Sequence, residues 1–396
     1  MITIIKNVEC YAPEYLGVKD ICTAGEKIYK ISDPGRIDLY GEDIHTIDGS
    51  GLLALPGIID GHVHIIGGGG EEGFQSRIGE IDIRDILTAG VTTVVGLLGA
   101  DDLTKSLYSL LAKAKALESE RITTFIYSGS YAVPVITFSG DIGSDMVLID
   151  KVIGAGEIAV SDHRSSHPDI NHLLSLASKV HMAGLISGKA GILHLHLGDG
   201  KDGLAIVNEL IQKSDLPVDL FFPTHVNRNP ALFRQAIDYV KSGGNIDLTS
   251  GEEAGIPVPD AVERLISLGV DMQRVTVSSD ANGSIPCGSV GKIQTLFDDI
   301  IDCIVKKGIS PEAIFPLVTE NAARRIKQYP RKGTLSEGSD ADILILNRDY
   351  KIEKLFAMGD IVVDNGEINL SSLFERGVGE ADGGSPRGEL DSKIKQ

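Results

Sequence analysis

The stretch "IDGHVHIIGGGGEEG", Ile59–Gly73, carries two histidines two residues apart, then four consecutive glycines and two glutamates. On a β-strand, side chains at i and i+2 share one face, so His62 and His64 can aim both imidazoles at one point. Histidine is the commonest metal ligand, and the C-terminal end of a barrel strand is where barrel active sites are built. Three more candidates close other apolar runs: His196 in "GILHLHLGD", His225 in "LFFPTH" and Asp280 in "VTVSSD". Imidazoles and a carboxylate converging from separate strand ends make an N/O donor set suited to zinc or a similar divalent ion. His194, two residues before His196, competes with it as a ligand. A lone histidine is more often a satisfied core or surface residue. Metal-competent groups at four separate strand ends are hard to explain that way.

Groups so far apart in sequence need a scaffold that gathers strand ends. From about residue 56, strand-like runs recur near 58–64, 92–98, 123–128, 157–161, 191–197, 218–223, 245–249 and 274–279. Their spacing, mostly near thirty residues, is about that of one βα unit. Helical patterns lie between several of them. "GLAIVNELIQKS" sets Leu204, Val207, Leu210 and Ile211 on one face. "NPALFRQAIDYVKSGG" opens with an Asn cap and a proline and closes in Gly-Gly. The pattern predicts an α/β protein with a (β/α)8 TIM-like barrel over 56–332. A doubly wound open sheet is the runner-up, but no GxGxxG opens a helix. Residues 1–55 and 333–372, short strand-like pieces with turns, predict a small β-sandwich domain built from both chain ends. Residues 373–396 are polar and glycine-rich, which predicts a loosely ordered tail.

With 396 residues, 42% of them hydrophobic, the chain can bury a sizeable core. A net charge of −19 argues against nucleic acid and against an anionic membrane surface. No apolar window is long enough to span a bilayer. The start, "MITIIKNVECYAPE", lacks the features of a secretory signal. Cys10, Cys22, Cys287 and Cys303 form no CxxC pair; Cys10 and Cys22 could form a disulfide, but buried free thiols are the expectation. Together these features predict a soluble, cytoplasmic, acidic protein.

The HxH after strand one, single histidines after strands five and six, and the aspartate after strand eight resemble the amidohydrolase superfamily. Within it, "PGIIDGHVHIIGGGGEEG", "SDHRS", "PTHVNRN" and "SSDANGS" resemble the β-aspartyl (isoaspartyl) dipeptidases, with likeness from about residue 8 to 372. The resemblance implies two divalent metal ions, usually zinc, and cleavage of β-aspartyl dipeptides through a metal-bound hydroxide. His62 and His64 would hold one ion beside Asp280, and His196 and His225 the other. Asp280 would also take the proton of the attacking water and pass it to the leaving amine. The family bridges its metals with a carbamylated lysine. Here the matching position is Glu157 in "GAGEIAVSDHRS", a carboxylate with the same two oxygens on a shorter arm, beside Gly154 and Gly156 that could ease a closer approach. Tyr131 would polarise the scissile carbonyl and Glu71 bind the free α-amino group. Arg164 and Arg228 would clamp carboxylates, Ser284 add a hydroxyl, and Ala100 stand where the family often has threonine. The glycines Gly67 to Gly70, Gly69 among them, would let substrate lie against the loop backbone. A homo-oligomer is implied as well. Two other readings compete: a cyclic amidase of dihydroorotase or hydantoinase type, and a metal-binding pseudoenzyme.

Overall fold

The computed structural model describes residues 2–369, apart from 38, 40, 42, 253 and 286–288. The expected tail at 373–396 and Cys287 lie outside the described residues. Eight strands carry the site: β1 Ile58–Val63, β2 Val91–Gly96, β3 Thr123–Ser128, β4 Val152–Val160, β5 Ile192–Leu197, β6 Phe221–Thr224, β7 Ile246–Thr249 and β8 Val275–Ser278. Strands β1 to β6 form one parallel sheet in chain order, and β7 with β8 form a second parallel pair. The two meet on both sides. Val226 N–H donates to Asp247 O at 3.5 Å, and His64 N–H donates to Ala281 O at 2.9 Å, beside a parallel bridge between Val63 and Ala281. The end of the last strand thus returns to the end of the first. Almost every strand residue is buried, as in parallel sheets covered on both faces.

A helix follows each strand, and local chemistry explains where the helices begin. Helix Pro230–Lys241 is capped by Asn229, whose side chain accepts from the N–H groups of Ala231 and Leu232. In helix Ala205–Gln212 the expected apolar face turns inward, with Leu204, Val207 and Leu210 fully buried. Two strands differ from the sequence reading. β4 begins at Val152 rather than near 157, because Gly154 and Gly156 belong to it. A Cβ at either would stand 2.3 Å from Ile192 O or 2.7 Å from the His194 Cβ. The glycines therefore let β5 approach closely. β6 starts at Phe221, and Val218–Leu220 is a 3-10 turn.

Among the described residues, strands from before and after the eight form one nine-stranded mixed sheet that includes Ile2–Tyr11, Leu53–Pro56 and Ile343–Leu346. In hydrogen bonding the expected β-sandwich is a single sheet that forks. Ile2–Tyr11 runs parallel to Ile44–Asp48 over its first half and to Leu53 and Ala54 near its end. Strand alternation gives this sheet two apolar faces. Leu53, Leu55, Leu344 and Leu346 pack into the large central core, while Ala54, Ile343 and Ile345 pack with Ile5, Val8 and Phe356 in a separate cluster. Cys10, Cys22 and Cys303 are buried free thiols, as expected. Among the described residues, no helix is long and apolar enough to cross a membrane.

Candidate active site

His62 lies one residue before the end of β1 and its side chain is fully buried, as is that of Glu157 on β4. The Glu157 carboxylate lies among four imidazoles. Oε2 is 2.9 Å from His196 Nδ1 and 3.6 Å from both His62 Nε2 and His225 Nε2, and Oε1 is 3.5 Å from His64 Nε2. Asp280 closes the other side, with Oδ1 3.0 Å from His64 Nε2 and 3.4 Å from His62 Nε2. Two groups could each hold a cation: His62, His64 and Asp280, and His62, Glu157 and His225. Among the described residues, His62 Nε2, His225 Nε2, Glu157 Oε1 and Asp280 Oδ1 are buried without a hydrogen-bond partner. Unpaired buried polar atoms are costly, and here they converge on common points. The donor set fits divalent metal.

The electrostatics agree. Burial opposes ionisation of Glu157 and Asp280, but the surrounding imidazoles hold both well below the usual carboxylate range. Burial likewise draws His62 down, yet the charges of Glu157 and Asp280 outweigh it and push it up to about 9. A nitrogen facing two carboxylates is a place for a cation, proton or metal. Burial and the neighbouring Arg228 bring His225 down to about 3, so its ring is neutral and able to ligate.

Supporting contacts fix these groups. Asp60 Oδ1 accepts from the N–H of His62 at 3.2 Å and of Ser279 at 3.1 Å, tying the ends of β1 and β8 together. His225 Nδ1 meets Thr249 Oγ1 at 2.7 Å, which turns Nε2 toward Glu157. His225 and Asp280 sit at positive φ, 60° and 51°, a strain that persists only where surroundings impose it. His194 does not join the cluster. Its Nε2 meets His62 Nδ1 at 2.8 Å from behind, and its ring stacks on Tyr127.

Above the cluster opens a narrow cleft, and every expected substrate contact lines it: Gly69, Glu71, Ala100, Tyr131, Arg164, Arg228 and Ser284. His64, His196 and Asp280 form its floor. Tyr131 OH lies 3.0 Å from His196 Nδ1, and burial keeps the phenol protonated by raising its pKa well above the usual range. Glu71 Oε1 accepts from Arg164 Nη1 at 3.2 Å and from the Ser284 hydroxyl. Arg228 Nη1 donates to Leu197 O at 3.0 Å. The glycines have a further use that the sequence reading does not include. A Cβ on Gly67 would stand 2.1 Å from Ile78 O and one on Gly69 2.2 Å from Ser76 O, both at positive φ. These two glycines let the loop close on its own backbone.

Sequence reasoning misses several residues here. Asp162, the second letter of "SDHRS", accepts from Arg164 Nε at 3.0 Å and Nη2 at 2.8 Å and lies 3.2 Å from His196 Nε2. Lys105 reaches under the glycine loop, where Nζ donates to Ile66 O at 3.0 Å, Ile78 O at 3.2 Å, Gly68 O at 3.3 Å and also to Gly67 O. Asp162 is inside a quoted motif, but nothing in the sequence flags Lys105.

Residues 224–362 match the amidohydrolase family model. The chain is similar to the β-aspartyl dipeptidase of Fervidobacterium islandicum AW-1, solved in complex with the β-Asp-Leu dipeptide. The two are 40% identical, covering 94% of this chain and 100% of that one, with a TM-score of 0.89. The L-hydantoinase of Paenarthrobacter aurescens is 26% identical over 403 residues, which cover 87% of this chain and 85% of that protein. A dihydropyrimidinase from Brevibacillus agri NCHU1002 shares the fold, at 15% identity and a TM-score of 0.63 over 93% of this chain and 96% of that one. The 40% likeness, spread along almost the whole chain, is the decisive one: the chain belongs to the amidohydrolase family and, within it, to the β-aspartyl dipeptidases.

Proposed function

We propose that this chain hydrolyses β-aspartyl dipeptides at a two-metal centre, most simply with zinc, at the mouth of a closed (β/α)8 barrel. One observation carries the reading: the charges such a substrate needs, Glu71 for its ammonium and Arg164 and Arg228 for its carboxylates, line the same cleft as the metal-competent cluster. His62, His64 and Asp280 would hold one ion, His196 and His225 the other, and Glu157 would lie between them. When bound, the ions polarise the scissile carbonyl and acidify water. Asp280, ionised and beside His64, is the base that accepts the water's proton and returns it to the leaving nitrogen. Tyr131 keeps its proton and donates a hydrogen bond to the carbonyl oxygen as charge develops there. Glu71 exchanges its contact with Arg164 for the substrate's α-ammonium, which places the aspartyl end. Ser284 adds a hydroxyl contact beside it.

The Paenarthrobacter relative keeps a cyclic amidase in view, but a hydantoin carries no ammonium for Glu71. Turnover of β-Asp-Leu, α-Asp-Leu and dihydroorotate at equal concentration separates the readings. The β-linked peptide should dominate by orders of magnitude. Equal or faster cleavage of either competitor refutes the assignment, and no turnover of any by metal-loaded protein favours a pseudoenzyme.

A further inference from the structure

A second narrow cleft adjoins the first and shares Arg228, Asp280 and Ser284 with it. Its own walls include Thr249, Ser250 and Glu252. Glu252 has a side chain only 7% exposed, and Oε2 stands 3.9 Å from Arg228 Nε, beyond hydrogen-bonding reach. Arg228 Nε itself is buried without a hydrogen-bond partner among the described residues. The segment that carries Glu252 is anchored. Ser250 N–H donates to Ser278 O at 2.9 Å, and Gly251 N–H donates to Asp299 Oδ2 at 2.9 Å. A nearly buried carboxylate is thus fixed at the edge of the reaction site with no assigned role.

We propose that this pocket receives the side chain of the residue after aspartate, and that Glu252 selects against an acidic residue there. The inference rests on the dipeptidase reading above. With the aspartyl end held at Glu71 and the scissile bond over Asp280, the leaving residue extends toward Arg228, which takes its terminal carboxylate. The neighbouring pocket, sharing Arg228, is then where its side chain goes. A carboxylate entering there would meet Glu252 after the nearest guanidinium is already engaged. A cationic or neutral polar side chain would meet a carboxylate that stands too far from Arg228 Nε to accept its hydrogen bond. Like-charge juxtaposition in a shielded site is a strong device for rejecting a ligand.

The test compares kcat/KM for β-Asp-Lys, β-Asp-Leu and β-Asp-Glu on metal-loaded wild type, Glu252→Gln and Glu252→Lys. Wild type should prefer β-Asp-Lys to β-Asp-Glu by roughly tenfold or more. Glu252→Gln should shrink that ratio toward one, and Glu252→Lys should invert it. Wild-type cleavage of β-Asp-Leu with a Lys:Glu ratio near one, or a ratio that Glu252→Gln leaves unchanged, overturns the subsite alone. Failure of wild type to cleave any of the three overturns the dipeptidase reading and the subsite with it.

Discussion

Replacing Glu71 by glutamine isolates one charge pair with little change of shape. In the free protein Glu71 accepts from Arg164 and Ser284, and its side chain is 22% exposed. Removing one member of a buried hydrogen-bonded charge pair costs on the order of 2–5 kcal/mol. Partial exposure, and the partners Glu71 leaves to meet the substrate, put this pair at the low end, about 2 kcal/mol. At 1.36 kcal/mol per decade, that is roughly a thirtyfold loss of kcat/KM on β-Asp-Leu. The assay should include succinyl-leucine, the same molecule without its α-amino group. The two substrates and two proteins then form a cycle that reports the pair itself. Glu71→Gln should cost succinyl-leucine less than about threefold, since that ligand has no ammonium to lose. Equal losses on both substrates would mean that Glu71 only shapes the cleft, by holding Arg164, and does not bind the amine.

Other outcomes follow from the same geometry. The His62→Ala/His64→Ala double variant should lose most of its bound transition metal by elemental analysis, and unchanged metal content would remove the histidines from the site. Because Glu157 offers a carboxylate without needing carbon dioxide, stripped protein should regain full activity with metal alone; a bicarbonate requirement would contradict the bridge. Asp340 lies 2.6 Å from Lys27 and 2.9 Å from the buried Lys332, and although burial opposes its ionisation, these lysines lower its pKa below 3.8. Its stabilising contribution is therefore present above about pH 4 and lost as pH falls through the lowered folded value. Asp340→Asn should cost about 2 kcal/mol at pH 7 and flatten the acid limb of Tm against pH, and an unchanged limb would refute the coupling.

The parts of the site legible in the sequence are those that local rules place. The i, i+2 periodicity sets His62 and His64 on one face, and the Asn-Pro cap starts the helix after His225. The alternation of strands and helices puts His196, His225 and Asp280 at the ends of β5, β6 and β8. The first half of β4 was hidden because Gly154 and Gly156 weaken any strand pattern, and their reason lies in a strand nearly forty residues later. His194 shows the limit of periodicity. It shares a face with His196, yet only the depth of the strand in the fold decides that it backs His62 rather than joining the cluster. Asp162 and Lys105 act through contacts between distant segments, and no spacing in the chain encodes those.

Lys105 gives the glycine loop an uncommon kind of memory. A run of glycines carries no side chains to remember its shape, so the shape is stored elsewhere, in an ammonium group that gathers the carbonyls of Ile66, Gly67, Gly68 and Ile78. The motif and its mould are thus inherited as separate pieces of sequence, some 37 to 39 residues apart on the loop side. Copying "GGGGEEG" into another scaffold would move the letters and leave the form behind. A transplant that brought a lysine to the same spot would have the means to restore it.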